Sequence, residues 1–315
     1  MSAEAETLII GGGLLGTETA LALRSGGRTV RVLSRSMSPR LQAAAGSGGI
    51  ELIEAEIRRG RALAAAVEGC STVICLAGAS TPAAAASDPE GALIGAVSPV
   101  LATLEAAADA KVTRVVVPSS GGTVYGAGAP TPTPESQTLA PSSLHGVNSC
   151  AIEAFADYFG REEDLDLVVL RLSNVYGPGG ESRRGQGVIA AWCRALALGQ
   201  PLVLIGSRST KRDFLFSADA ASAIEAALSI EPGTYNVGGD DPVQLGELID
   251  LLAELTGREI VVEERSGRSI DVPVTHLSIE RITSHSDWRP TTSLESGLRA
   301  VWAWENRGLG EVPDG

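Results

Sequence analysis

The chain reads as an α/β protein built on a doubly wound parallel sheet, with a smaller α/β lobe attached. Three observations predict this. Short apolar runs alternate with helical segments through the first half of the chain, the pattern that buries parallel strands between helices. A glycine-rich turn, Gly11-x-Gly13-x-x-Gly16, stands between the first strand and the first helix. Beyond Asn174 the regular alternation gives way to shorter, mixed segments. The division expected is 1–173, with returning segments at about 208–240, and a second lobe made of 174–207 and 241–315.

Residues 7–10 are apolar and end in the glycine turn, and an Ala/Leu-rich helix continues to about 25. Strands are expected at 30–33 and 50–57, a helix at 61–67 and a fourth strand at 72–76. The Ala-rich stretch 81–87 reads as a loop and 99–110 as a helix. A fifth strand at 112–118, a helix at 149–161 and a sixth strand at 167–172 complete the first half. In the second half, a helix at 187–198 precedes a strand at 201–205. A strand-like piece at 212–216 leads into a helix at 219–228. A strand at 234–237, a helix at 245–256 and a strand at 259–264 follow.

Composition narrows the function. The chain has 315 residues, 44% hydrophobic and 20% charged, which is ordinary for a globular protein. A formal charge of −13 argues against a nucleic-acid partner, which calls for a basic face. The apolar runs are short and cut by Gly, Pro or charge, so no membrane span is expected. Cys70, Cys75, Cys150 and Cys193 lack paired metal spacing, so neither a metal site nor a disulfide framework is expected. With an acidic stretch and no secretory signal before the first strand, a cytoplasmic location is expected.

The glycine turn carries the first chemistry. Glycines there allow a tight turn and a close approach of a pyrophosphate to backbone N–H groups, including those of Leu14 and Leu15. Cofactor binding is therefore expected at Gly11, Gly13, Leu14, Leu15 and Gly16. About twenty residues on, an NAD site usually has an acidic residue for the ribose hydroxyls. Here Ser34-Arg35 stands instead, and a hydroxyl with a guanidinium suits a 2′-phosphate. NADP is the expected cofactor, with NAD possible.

Later segments carry further motifs in order. They are Ser119-Ser120-Gly121-Gly122-Thr123-Val124-Tyr125-Gly126, then Arg171-Leu172-Ser173-Asn174-Val175-Tyr176-Gly177-Pro178, and Arg212-Asp213-Phe214 with Asp219. Tyr235-Asn236-Val237-Gly238, the pair Arg268 and Asp271, and Trp288-x-Pro290 follow. Together these resemble the extended short-chain dehydrogenase/reductase family, in its branch of NAD(P)-dependent nucleotide-sugar epimerases and dehydratases. The resemblance covers most of the chain and implies a Rossmann-type sheet with a substrate lobe. It implies that Glu56 and Ile57 lie at the adenine, and that Leu76, Ala77, Gly78, Ser119 and Leu172 line the cofactor. Asn174, Val188 and Val203 would contact a nucleotide-diphosphate sugar. Arg212 and Arg268 would hold its diphosphate, and Asp271 would face its ribose or base. A homodimer paired through helices is implied as well.

One segment departs from that family. Its P-x-S-x-Y-G-x-S-K-x-x-x-E pattern keeps Pro141, Ser143, Gly146 and Glu153 here, but His145 replaces the tyrosine and Ser149 the lysine. The chain has two lysines, Lys111 and Lys211, and neither lies four residues after a tyrosine. The family's sugar-facing hydroxyl aligns with Gly121, and Thr123 would replace it if that segment were extended. Imidazole titrates near neutrality without a neighbouring cation, so His145 can serve as acid or base, with Ser149 or Asn148 bonding the ribose. The expected function is a nucleotide-sugar oxidoreductase of ketoreductase or epimerase type. The alternative is a catalytically silent nucleotide-sugar-binding protein that partners an active enzyme.

Overall fold

The computed structural model describes residues 6–78, 82–180, 187–239, 241–267 and 272–307. Seven parallel strands form the central sheet in the order Gly233–Val237, Asp166–Leu172, Arg114–Ser120, Thr72–Cys75, Thr7–Ile10, Val30–Ser34, Ile50–Glu54. The winding reverses between Thr7–Ile10 and Thr72–Cys75. A crevice therefore opens there at the carboxyl ends of the strands, where open α/β sheets bind ligands.

Alternation along each strand feeds two cores. Leu8, Ile10, Val73, Cys75, Val115 and Val117 face one layer, while Ile9, Ile74, Val116, Val168 and Leu170 face the other. Both faces are covered, which is why these strands read as continuous apolar runs in the sequence. Helices Arg61–Val67, Pro89–Asp109 and Leu144–Glu162 cover the first face; Leu14–Ser25, Pro39–Ala45 and Ser217–Ala226 cover the second. A third cluster around Trp192, Leu202, Leu248 and Leu298 joins helices Val188–Ala197, Leu245–Thr256 and Leu294–Arg307. Strand Leu202–Ile205 pairs there with Val262–Arg265, while Phe214–Phe216 pairs with Asn174–Tyr176.

Several expected elements are corrected. The stretch expected as a loop at 81–87 holds the helix Pro82–Ser87. The next helix begins at Pro89, capped by the Asp88 side chain, and runs through Pro99. The carbonyl that Pro99 leaves without an intrahelical partner belongs to Gly95, which is exposed to water. This helix is long and apolar enough by composition to cross a membrane, and half of its window is buried inside the protein. The strand expected to reach residue 57 ends at Glu54, and the one expected from 259 begins at Val262. Helices Pro39–Ala45, Glu280–His285 and Leu294–Arg307 had no counterpart in the sequence reading. Most important for the site, the helix expected from residue 149 starts at Leu144, capped by Ser143, and so carries His145 in its first turn.

Candidate active site

The glycine turn is shaped by close packing on two sides and open on the third. A Cβ at Gly16 would lie 1.8 Å from the Gly11 carbonyl oxygen. Gly11 itself has φ +115° and abuts the Leu76 carbonyl, so a side chain fits neither position. Beside Gly13 the space is open, and Gly13 caps helix Leu14–Ser25 with no side-chain hydrogen bond. The N–H groups of that first turn are thus left for an anion at the positive end of the helix. Leu14 reaches toward Gly177 and Gly180, so the turn faces the second half of the chain.

Ser34 ends its strand and is buried, while Arg35 is exposed and makes no ion pair among the described residues. Arg40, by contrast, is committed to Glu18. Glu56 is exposed and Ile57 half-buried just past their strand, and Leu76, Ala77 and Gly78 follow the end of theirs. Leu172 is buried at the end of its strand. The buried Ser119 hydroxyl donates to Glu153.

At the altered segment, parallel topology places the start of helix Leu144–Glu162 at the carboxyl edge of the sheet, because this helix leads down into strand Asp166–Leu172. His145 is half-buried there, and desolvation pushes its imidazole below the usual histidine range. Its place in the first helical turn acts in the same sense, since that end of the helix disfavours positive charge. The Ser149 hydroxyl donates to the His145 carbonyl at 3.1 Å, which leaves its oxygen as an acceptor. Thr123 departs from the expectation. Residues Gly121–Val124 form a helical turn, so Gly121 and Thr123 do not share a face as they would in a strand. The Thr123 hydroxyl donates back to the Ser120 carbonyl. Gly121 meets Leu277: a Cβ there would lie 2.4 Å from Leu277 Cδ1 and 2.9 Å from the Arg171 carbonyl oxygen. The methyl group of a leucine stands where a hydroxyl was looked for.

Several motif residues converge on one buried polar knot. Arg171 donates to Glu153 at 2.7 Å and to the Tyr125 hydroxyl at 2.8 Å. Tyr125 donates to Asn236 Oδ1, whose own amide donates to the Thr133 carbonyl. Burial works against the Arg171 charge, yet Glu153 and Tyr125 hold its guanidinium above the ordinary value. Asp219 likewise accepts from Thr291 and Thr292, while its carbonyl accepts from the Trp288 indole. These residues hold strands and loops together; their spacing in the sequence did not separate this role from ligand binding.

The predicted substrate residues Asn174, Val188, Val203 and Arg212 all line one cavity of about 550 Å³, with Trp192 and Phe214. The Asn174 amide donates to the Asp213 carbonyl at 3.0 Å, and Arg212 donates to the Lys211 carbonyl. Arg268 and Asp271 lie outside the described residues. Asp213, which sequence reasoning did not single out, is fully buried beneath this region and accepts from the Leu277 N–H. Burial pushes its carboxyl up to about 7.

Among the described residues, three side-chain polar atoms at this edge are buried without a partner: Asn148 Nδ2, Ser173 Oγ and Ser217 Oγ. Ser173 follows the strand Asp166–Leu172, and Ser217 opens a helix. Such atoms are costly in a dry interior. The open space at Gly13 and the uncapped N–H groups behind it fit the pyrophosphate of a dinucleotide lying across the crevice.

Comparison with known proteins agrees with this geometry. The chain is 28% identical over 187 residues to dTDP-4-dehydro-6-deoxyglucose reductase of Escherichia coli, an alignment covering 59% of each protein. It thus spans about six tenths of that relative's length. The structure of UDP-glucose 4-epimerase from Thermotoga maritima with UDP-glucose superposes with a TM-score of 0.89 at 25% identity, over 96% of this chain and 99% of that one. MoeE5 in complex with UDP-glucuronic acid and NAD gives 0.88 at 27% identity, with the same coverage. Residues 7–238 match the NAD dependent epimerase/dehydratase family, and with the doubly wound sheet and its glycine turn this establishes that the chain belongs to that family.

Proposed function

We propose that this chain is an NAD(P)-dependent oxidoreductase of nucleotide-diphosphate sugars, of ketoreductase or epimerase type, in which His145 exchanges the proton. The observation that carries the reading is the half-buried imidazole in the first turn of helix Leu144–Glu162, at the carboxyl edge of the sheet. A bound nicotinamide dinucleotide would supply or accept the hydride. Gly11, Gly13, Gly16 and the N–H groups of Leu14 and Leu15 would hold its pyrophosphate. The exposed Arg35, beside Ser34, supports NADP over NAD. Glu56 and Ile57 would meet the adenine, and Leu76, Ala77, Gly78 and Leu172 the rest of the cofactor. Asn174, Val188, Val203 and Arg212 would hold the sugar nucleotide, together with Arg268 and Asp271. Relatives whose structures hold UDP-sugars support that substrate class. The division at 1–173 with 208–240, against 174–207 with 241–315, belongs to the same proposal, as does a cytoplasmic location, which the four free cysteines support.

The direction of the His145 shift decides its chemistry. A lowered pKa leaves the imidazole neutral at pH 7, ready to take a proton from a sugar hydroxyl while the hydride departs. In reverse, the imidazolium donates to a ketone. Oxidation should therefore fail as pH drops below the lowered pKa, and reduction should slow as pH rises above it. The test is NADPH consumption over a panel of keto-sugar nucleotides, with wild type and His145→Phe compared across pH. Loss of about 10²–10⁴ in rate is expected for the variant. Tight ligand binding with no NADPH consumption by wild type would instead establish a silent binding protein.

A further inference from the structure

We infer that Trp304 braces the cofactor crevice: its indole holds the turn Gly177–Gly180 against Leu14 of the glycine-rich turn. The inference rests on the cofactor reading above and adds a positioning residue to it, because Trp304 acts through the turn and not on the ligand.

The turn is built by its own sequence, Gly177-Pro178-Gly179-Gly180. Proline, whose ring fixes φ, stands second, and Gly179 stands third with φ +83°. The Gly180 N–H closes on the Gly177 carbonyl at 3.3 Å, as in a type II turn. With three glycines in four residues, the turn has almost no side chains of its own to hold it in place. Its supports come from outside. On one side lies Leu14: a Cβ at Gly180 would be 3.5 Å from Leu14 Cδ2, and one at Gly177 would be 3.7 Å from Leu14 Cδ1. On another lies Trp304: the nearest atoms to a Cβ at Gly179 would be its Cζ2 and Cε2, at 3.6 and 3.8 Å. Trp304 stays 42% exposed, so its ring lies over the turn and not in a core.

The helix that carries Trp304, Leu294–Arg307, is anchored separately. Gly297, seven residues earlier and so on the same face two turns away, leaves room for the ring of Tyr176, which directly precedes the turn. Arg194 of helix Val188–Ala197 pairs with the buried Glu305 at 3.5 Å. The helix thus meets residues 176–179 at two points. Leu14, on the other side of the turn, opens the helix whose uncapped N–H groups are proposed to hold the pyrophosphate. A braced turn keeps this wall of the crevice in place before the ligand arrives; an unbraced one would have to be ordered at the expense of binding.

Titration calorimetry with NADPH and with NADH would compare wild type with Trp304→Ala, Trp304→Phe, Leu14→Ala and the double variant Trp304→Ala, Leu14→Ala. Trp304→Ala should bind the preferred dinucleotide about tenfold more weakly, ~1.4 kcal/mol. Trp304→Phe, which keeps a ring over Gly179, should recover most of that loss. The double variant should bind no more weakly than the weaker single one, because both substitutions break one line of contacts. If Trp304→Ala does not fold, Trp304→Gln, which has reach but no ring, carries the same expectation. Undiminished binding by the ringless variant would overturn the inference. So would losses that add in the double variant, or a phenylalanine variant as weak as the alanine one. Failure of wild type to bind either dinucleotide would overturn the cofactor reading, and this inference with it.

Discussion

Two ionisable residues at the site are displaced by the same cause in ways that mirror each other. Burial favours the neutral form of each, lowering His145 and raising Asp213 to about 7. Asp213 is the more demanding case, because its carboxyl is fully buried and desolvation outweighs the bond it accepts from the Leu277 N–H. A carboxyl raised in the folded state contributes stability that is fully present below its unfolded value. That stability is lost as pH rises through the folded one. Stability should thus decline as pH climbs from about 4 to about 7, by an amount that chemical denaturation at several pH values will read. Asp213→Asn, which keeps the acceptor for Leu277, should flatten that slope. A slope unchanged in the variant would assign the effect to other groups.

Among the elements, helix Leu144–Glu162 and the turn Gly121–Val124 decide what chemistry is available. Both were read too locally from the sequence. The helix expected from 149 begins at Leu144, where the Ser143 side chain caps it, and it packs against the turn. Thr123 would have faced the sugar only in an extended segment, and the helical shape of the turn directs its hydroxyl to the Ser120 carbonyl instead. Gly121 and Leu277 act as a matched pair across elements far apart in the chain. Gly121→Ser alone should destabilise by roughly 1–3 kcal/mol through overpacking, and Leu277→Ala by about 2–5 kcal/mol through a cavity. The double variant should be more stable than the sum of the singles implies, by on the order of 1 kcal/mol. Simple additivity in urea unfolding would separate the two residues.

For the whole molecule, the buried knot of Ser119, Glu153, Arg171, Tyr125 and Asn236 ties three neighbouring strands and helix Leu144–Glu162 into one unit. Removing one partner of such an ion pair leaves a buried charge alone, which generally costs far more than the pair contributes. On the outer side of the same helix the surface is apolar. Val147, Phe155 and Tyr158 are exposed beside Leu93 and Ile94 of helix Pro89–Asp109, and a groove runs between the two helices. A second copy of the chain meeting this face would form the homodimer that the family resemblance implies, since exposed apolar surface of this kind suits an interface. Sedimentation velocity should show a dimer for wild type and a monomer for a variant carrying Ile94→Lys and Tyr158→Lys. A wild-type monomer at micromolar concentration would remove the dimer.

Alternating apolar runs and the Gly11-x-Gly13-x-x-Gly16 turn sufficed to determine the parallel sheet and the cofactor edge, because both follow from periodicities of the chain itself. The absence of Tyr-x-x-x-Lys was equally plain in the sequence. Other outcomes required the tertiary structure. Ser119 and Ser149 donate their hydroxyl protons to Glu153 and to the His145 carbonyl, pairings that motif spacing does not specify. Arg171 and Asn236 belong to a structural knot, although they stand in the same motifs as residues proposed to bind ligand. Leu277 fills the space beside Gly121 from 156 positions away along the chain. The physical reason is common to these cases. Backbone periodicity is local and written in neighbouring residues, whereas hydrogen-bond satisfaction and side-chain volume are decided by whatever the fold brings alongside.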